Sequence, residues 1–428
     1  MNFDFKKIAI AIFVIVLIVV LIVIFGKKNT AVDPNFPTTN VTLKVWGWGD
    51  ENVAFADIFK AYGATIKTVK LEYTKFDSKD VYEKALVNAM ASNTGPDIFM
   101  IDDSWVSKHF DKMRPEAGTL MNAGLYKTLF PEVISKDMIL SGYVYGAPLY
   151  MDAMALLYNK DIFNAKSIVF PPTNWDEFMD DVVKIKEMDQ NKKIQLAATA
   201  LGGATNVENL GDILSVLAIQ SGGTINRLND KGVDFGDAMA KGLSFYMQFS
   251  DPVSSYYSWN ESFAKSREVF ASQKVGMIFD YFSAFDAIKK QNPFLNIDVV
   301  PLPQLKGATA QNISTVAKYK ALAVSKQSKY PYVAWHFIKF MTTQESTISL
   351  YLTSTGRLPA LKTMISAGIK KQENDVFLKS FLQAKTWQKA DYEKINLVFR
   401  GMVLDILSGR VDLSRSLKSA EEEINRMY

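Results

Sequence analysis

Gly146-Ala-Pro-Leu-Tyr-Met-Asp-Ala-Met-Ala-Leu-Leu-Tyr-Asn-Lys-Asp-Ile-Phe163 begins with turn chemistry, Gly146 and Pro148, and continues as an apolar run. One carboxylate, Asp152, stands in that run between Tyr150 and Tyr158. A buried strand accounts for the apolar residues. It does not account for Asp152, because a buried carboxylate without a partner is costly. Either Asp152 is salt-bridged or reaches water, or the strand crosses between two lobes and turns Asp152 toward a cleft.

Upstream, Val41-Thr-Leu-Lys-Val-Trp46 alternates as a strand and ends in Gly47-Trp-Gly-Asp-Glu-Asn52. Phe55, Ile58, Phe59 and Tyr62 then fall at helical spacing. Val69–Tyr73 is a second strand, residues 80–90 a helix, and Ile98–Ile101 an apolar strand capped by Asp102-Asp-Ser-Trp105. Strands alternating with helices predict a parallel α/β sheet. Ligands of such sheets gather beyond the carboxyl ends of the strands. Trp46, Trp48, Asp50, Asp103, Ser104 and Trp105 therefore share one expected rim.

Downstream, Asn174 is placed to cap a helix reaching about Met188. Residues 194–200 read as a strand. Gly202 to Gly211 is a glycine-rich loop, but its spacing fits neither phosphate-binding pattern. Ser254 to Asn260 is dense in aromatics and includes Trp259. The strand Val275–Phe279 leads into Asp280 and Tyr281; Asp298 to Pro303 and Tyr319–Val324 are further strands, and the C-terminal remainder is mostly helical.

Pro148-Leu-Tyr-Met-Asp…Leu-Leu-Tyr-Asn-Lys-Asp, followed by Pro171-Pro-Thr-Asn-Trp-Asp-Glu-Phe178, resembles the extracellular solute-binding proteins of bacterial ABC importers, in their sugar-binding, maltose-binding-like class. Gly95-Pro-Asp-Ile98 and Ser354-Thr-Gly-Arg-Leu-Pro-Ala360 recur in the family's order, so the likeness runs from about residue 41 to 428. It implies a two-lobed, type II periplasmic-binding-protein-like α/β fold with a hinge and an interlobe cleft. The acidic residue of the crossing strand, here Asp152, can bind ligand in that family. Tyr281 is the implied stacking residue, with Phe282 its neighbour and rival. Asp50 and Glu51 resemble a polar pair whose second member is usually basic; Glu51 departs from that, which counts against a maltodextrin ligand.

The 428 residues, 48% of them hydrophobic, are ample for two lobes. There are no cysteines, hence no disulfides, thiolate metal sites or lipidated cysteine tether. Of the net charge of +4, the four lysines and one aspartate among the first thirty residues supply three, so the rest of the chain gives no nucleic-acid footprint. Lys6-Lys7 precede an unbroken apolar run, Ile8 to Phe25. At about 1.5 Å per residue such a helix is about 27 Å long, near the thickness of a bilayer core. Gly26-Lys-Lys-Asn follows without a small-x-small cleavage site, which favours a transmembrane anchor over a long cleaved signal. Lysine pairs flank both ends, so the outward orientation rests on the family resemblance.

The expected architecture is residues 1–7 cytoplasmic, 8–25 anchor, 26–40 linker, 41–150 with 300–345 as lobe 1, and 151–299 with 346–428 as lobe 2. Sugars are held by aromatic faces and by planar polar side chains. The expected ligand-binding residues are Trp46, Trp48, Asp50, Asp103, Ser104, Trp105, Tyr150, Asp152, Trp259, Asn260, Asp280, Tyr281, Arg357 and Trp387. For Trp48 and Trp259, set among glycines or polar residues, binding leads over packing. No catalytic residue, metal or cofactor is expected: there is no Gly-x-Ser-x-Gly elbow, no His-Glu-x-x-His and no Walker loop. Asp102 and Asp103 are adjacent, and neighbours on a strand point to opposite faces, so they do not form a hydrolytic pair. The family implies ABC permease subunits and a small carbohydrate as partners. An anchored sensor or adhesion module is the alternative the residues leave open.

Overall fold

The computed structural model describes residues 34–226, 232–309, 313–372, 374–387 and 389–428. The expected anchor, Ile8 to Phe25, lies outside them. Among the described residues no helix is long and apolar enough to cross a membrane.

The strands are β1 (Val41–Trp48), β2 (Val69–Phe76), β3 (Ile98–Asp102), the short pair β4 (Ile139–Leu140) and β5 (Tyr143–Val144), β6 (Ala147–Asn159), β7 (Glu187–Met188), β8 (Ile194–Thr199), β9 (Val275–Tyr281), β10 (Ile297–Val300), β11 (Thr315–Val324) and β12 (Ala384–Lys385). Their order is β2-β1-β3-β11-β6-β9-β8-β7, with β10 on β6 and β12 on β11. The β1–β2, β1–β3 and β8–β9 ladders are parallel, as strand–helix alternation predicts. The central ladders are antiparallel: β11 runs against β3 and β6, and β6 against β9 and β10. The sheet is thus mixed, because β6 and β11 both carry the chain between the lobes.

All thirteen residues of β6 are buried. Strands flank it on both sides and helices cover its faces, so its sequence is continuously apolar rather than alternating. Residues Ala147–Ala153 pair with β11, whereas Met154–Tyr158 pair with β9. The strand therefore passes from one lobe to the other at Ala153/Met154. Gly146 starts it where a Cβ would lie 3.0 Å from Ile101 Cδ1 and 3.1 Å from Met138 Sδ.

Two hydrophobic cores result. The first is built from residues 41–155 and 317–384. The second takes residues 154–302, Val316 and 387–424. The expected boundaries are corrected in two places. Residues 300–309 and 313–316 stay with the second lobe, where Gln304 pairs its main chain with Thr173 and Trp175. The third crossing lies at residues 384–387, not near 345. Helix Glu345–Thr355 packs Tyr351 against Phe55 at 5.6 Å, and helix Asp375–Gln383 buries Phe377 and Phe381 in the first core. Helix Trp175–Ile185 starts as expected, with Asn174 Oδ1 accepting from the Glu177 amide at 3.1 Å.

Candidate functional site

The lobes face one another across charged side chains set at the ends of elements. The first lobe contributes Lys79, at the start of helix Lys79–Ala91, Asp102 and Asp103 at the end of β3, and Lys108 in helix Trp105–His109. The second contributes Lys389, Asp391 and Glu393, around the start of helix Tyr392–Leu407. Lys79 meets Glu393 at 3.2 Å, Lys108 meets Asp391 at 2.8 Å and Lys389 meets Asp103 at 3.5 Å. Lys79 also meets Asp102 at 2.5 Å. Burial pushes the Asp103 carboxyl up, against the pull of Lys389.

Lys318 and Lys320 on β11 are two residues apart and so share a face. Lys318 Nζ lies 2.8 Å from Asp212 Oδ2, donates to Asn209 Oδ1 at 3.0 Å, and sits 4.4 Å from the Tyr281 ring centre and 5.2 Å from that of Tyr392. The hydroxyls of Tyr281 and Tyr392 donate to the same Asp212 oxygen at 3.0 and 2.8 Å. Burial works to raise the Asp212 carboxyl, but Lys318, Lys389 and these bonds hold it below its ordinary value. Lys320 Nζ donates to the Trp48 carbonyl at 2.7 Å, lies 4.5 Å from that indole's centre and 3.9 Å from Asp50 Oδ1. Burial lowers its pKa. Trp48 stacks on Trp105 at 5.6 Å and lies 4.9 Å from the Tyr82 ring. Asp50 accepts from the Tyr351 hydroxyl at 2.7 Å. Arg357 covers the Tyr150 ring at 4.9 Å, and its buried Nε has no partner.

Beside this cluster lies a cavity of about 760 Å³, lined by Gln220, Thr224, Gln304, Lys306 and Trp387 among others. Trp387 joins the two: its indole N–H donates to Ser215 at 3.1 Å, and Lys389 Nζ is 5.6 Å from its ring. The volume is that of a small-molecule pocket. Aromatic faces, carboxylates and ammonium groups together suit a polyhydroxylated ligand better than an apolar one.

The cluster gathers Trp48, Asp50, Asp103, Trp105, Tyr150, Tyr281, Arg357 and Trp387 from the expected set. The remaining six stand elsewhere. Trp46 packs on Phe76, 5.1 Å away, against the first lobe's own core. Ser104 donates its hydroxyl to Asp102 at 2.8 Å. Asp152 accepts from the amides of Phe282 and Ser283 at 2.8 and 3.0 Å, holding the N-terminus of helix Phe282–Gln291. Asp280, 1% exposed, is taken by Arg267 in two bonds of 2.5 and 2.7 Å and by Asn209 at 2.9 Å. Trp259 is fully buried, stacked on Phe263 at 4.5 Å with its N–H on Asn206. Asn260 donates to Tyr257 and accepts from Ser262. Phe282 reaches the other lobe, 5.1 Å from Phe377.

Sequence reasoning missed Lys318, Lys320, Asp212, Tyr351, Lys389 and Tyr392. A signal for two of them exists: lysines two apart in the otherwise apolar β11 present the same anomaly as Asp152 in β6.

A family model described as bacterial extracellular solute-binding protein matches residues 48–348. The maltotriose-binding protein of Pyrococcus abyssi is 22% identical over 390 residues, covering 88% of this chain and 79% of that relative. A putative binding protein of Brucella abortus is 25% identical over 322 residues, 72% of each. Among solved structures, the cyclic alpha-maltosyl-1,6-maltose binding protein from Arthrobacter globiformis superposes with a TM-score of 0.74 at 19% identity, covering 91% of this chain and 99% of that one.

Proposed function

The chain belongs to the bacterial extracellular solute-binding proteins, and from that membership we propose that it captures a sugar or oligosaccharide between its lobes and delivers it to the permease of an ABC importer. Its work lies outside the cytoplasm. The observation that carries the sugar reading is the interlobe cluster itself, in which Trp48, Tyr150, Tyr281 and Tyr392 stand among hydrogen-bonding charged groups. Relatives named for maltotriose and for multiple sugars support the same class. Residues Ile8 to Phe25 would tether the binding lobes to the outer face of the membrane.

Ligand between the lobes favours the closed form only through contacts that the open form lacks. The ion pairs Lys79–Glu393, Lys108–Asp391 and Lys389–Asp103 span the lobes, so they belong to the form in which the lobes are together. Motion about β6 and β11 would open and close the cleft around the ligand.

The test is a thermal-shift titration of the purified full-length chain against mono- and oligosaccharides, with amino acids and polyamines as controls. A ligand at one hundred times its dissociation constant stabilises the folded chain by about 2.7 kcal/mol. A saccharide should raise the melting temperature accordingly. Shifts with the controls alone would overturn the sugar assignment and leave the family unaffected.

A further inference from the structure

Where the lobes meet, three crossing ion pairs converge on one short stretch of the second lobe. Lys389, Asp391 and Glu393 lie between the third crossing and the first turn of helix Tyr392–Leu407. Each meets a different element of the first lobe. Lys389 meets Asp103 beyond β3 at 3.5 Å, Asp391 meets Lys108 in helix Trp105–His109 at 2.8 Å, and Glu393 meets Lys79 in helix Lys79–Ala91 at 3.2 Å. The Tyr392 ring, set among them, lies 5.7 Å from Lys79 Nζ, again across the lobes.

Most of these groups also have a partner in their own lobe. Lys79 holds Asp102 at 2.5 Å and Lys108 holds Glu83 at 2.6 Å. Asp391 has Lys394 Nζ 3.8 Å away and caps its own helix through the Lys394 amide. Parting the lobes therefore breaks the crossing pairs and keeps the internal ones. Glu393, its side chain 57% exposed, returns to water at little cost. Lys389 and Asp103, each 10% exposed, gain water as they part, which offsets the attraction they lose. The pairs thus bias the two forms without locking either. We infer that residues 389–393 are an electrostatic latch on the cleft, and that ionic strength, by screening it, sets how readily the lobes part. This rests on the lobe motion proposed above and adds what holds the closed form. The affinity of a neutral sugar then falls as salt rises, although the sugar carries no charge, because closure is part of binding.

The test needs no ligand. The chain has no cysteine, so spin labels go only to Val81→Cys and Leu397→Cys, exposed positions on the two lobes. Pulsed electron paramagnetic resonance then reads the distance between the lobes in the full-length chain. Each exposed ion pair shifts an equilibrium by about two- to fivefold. Raising sodium chloride from about 0.05 M to about 1 M, where the screening length is about 3 Å, should therefore lower the ratio of short to long distances about tenfold. Asp391→Asn combined with Glu393→Gln keeps the helix cap and removes both charges. It should show the lowered ratio already at low salt and respond less to added salt. Should that double variant fail to fold, Glu393→Gln alone, at an exposed side chain, should give part of the same shift. A ratio unmoved by salt, or a variant that matches the natural chain, overturns the latch and leaves sugar binding standing. One unchanging distance in every chain and at every salt concentration overturns the lobe motion as well.

Discussion

Replacing Asp152 with asparagine keeps the shape of the side chain and one acceptor oxygen at the start of helix Phe282–Gln291, and removes the charge. Burial raises the Asp152 carboxyl from 3.8 to about 6, even though the amides of Ser283 and Phe282 and the nearby Arg357 oppose the rise. The folded chain therefore holds this proton more tightly than the unfolded chain. The stability contribution is complete below about pH 4 and is lost as the pH rises through about 6. A shift of about 2 units amounts to about 3 kcal/mol at pH 8, where the carboxylate is ionised. Asparagine escapes that cost but leaves one amide without its acceptor, worth about 1 kcal/mol. Asp152→Asn should thus be about 2 kcal/mol more stable than the natural chain at pH 8 and slightly less stable at pH 4. Urea unfolding at the two pH values, followed by circular dichroism, reads the difference directly. A difference that stays flat between pH 4 and pH 8, or a natural chain that is the more stable at pH 8, would refute the reasoning. The amide bonds would then outweigh the burial.

Lys318→Met should cost about 3–5 kcal/mol, because Asp212 keeps its buried charge and loses its closest cation. Adding Asp212→Leu to that variant should recover most of the loss, and an additive double variant in urea unfolding would deny the coupling. Trp259→Phe should cost about 1–3 kcal/mol through the lost bond to Asn206 and the smaller ring. It should leave ligand affinity unchanged in titration, since the indole is sealed in the second core; a marked fall in affinity would return Trp259 to the binding surface.

Much of the architecture is legible from local pattern alone. The alternation of strands and helices over residues 41–101 marks an α/β lobe, and the turn before β6 with its long apolar run marks a crossing. The direction of β6 and β11 is not legible, because a strand buried on both sides has the same composition whether its neighbours run with it or against it. Nor is the lobe to which helix Glu345–Thr355 belongs: its apolar stripe says that it is covered and not by what, and Phe55 lies far away in sequence. The aromatic half of the candidate site can be found because indoles among glycines stand out. Its cationic half is legible only in Lys318 and Lys320, as two lysines in an otherwise apolar strand; Lys389, in a polar run, carries no such mark until the second lobe is folded against Asp103. Asp280 misleads for the converse reason. It follows a strand as a ligand-binding carboxylate would, but Arg267, in the preceding helix, has already claimed it.

The place of β11 in the sheet also constrains how the chain is made. Its antiparallel bonds to β3 join residues 98–102 to residues 320–324, and the first core is closed only by the helices that reach residue 384. An N-terminal fragment cannot finish the first lobe, however long it waits. A chain made from its N-terminus therefore has most of its length in place before its first core can close. Late-forming, long-range pairing of this kind makes for slow folding and leaves apolar strands uncovered meanwhile. The first lobe is in this sense the last to be finished, although its strands are the first to be made.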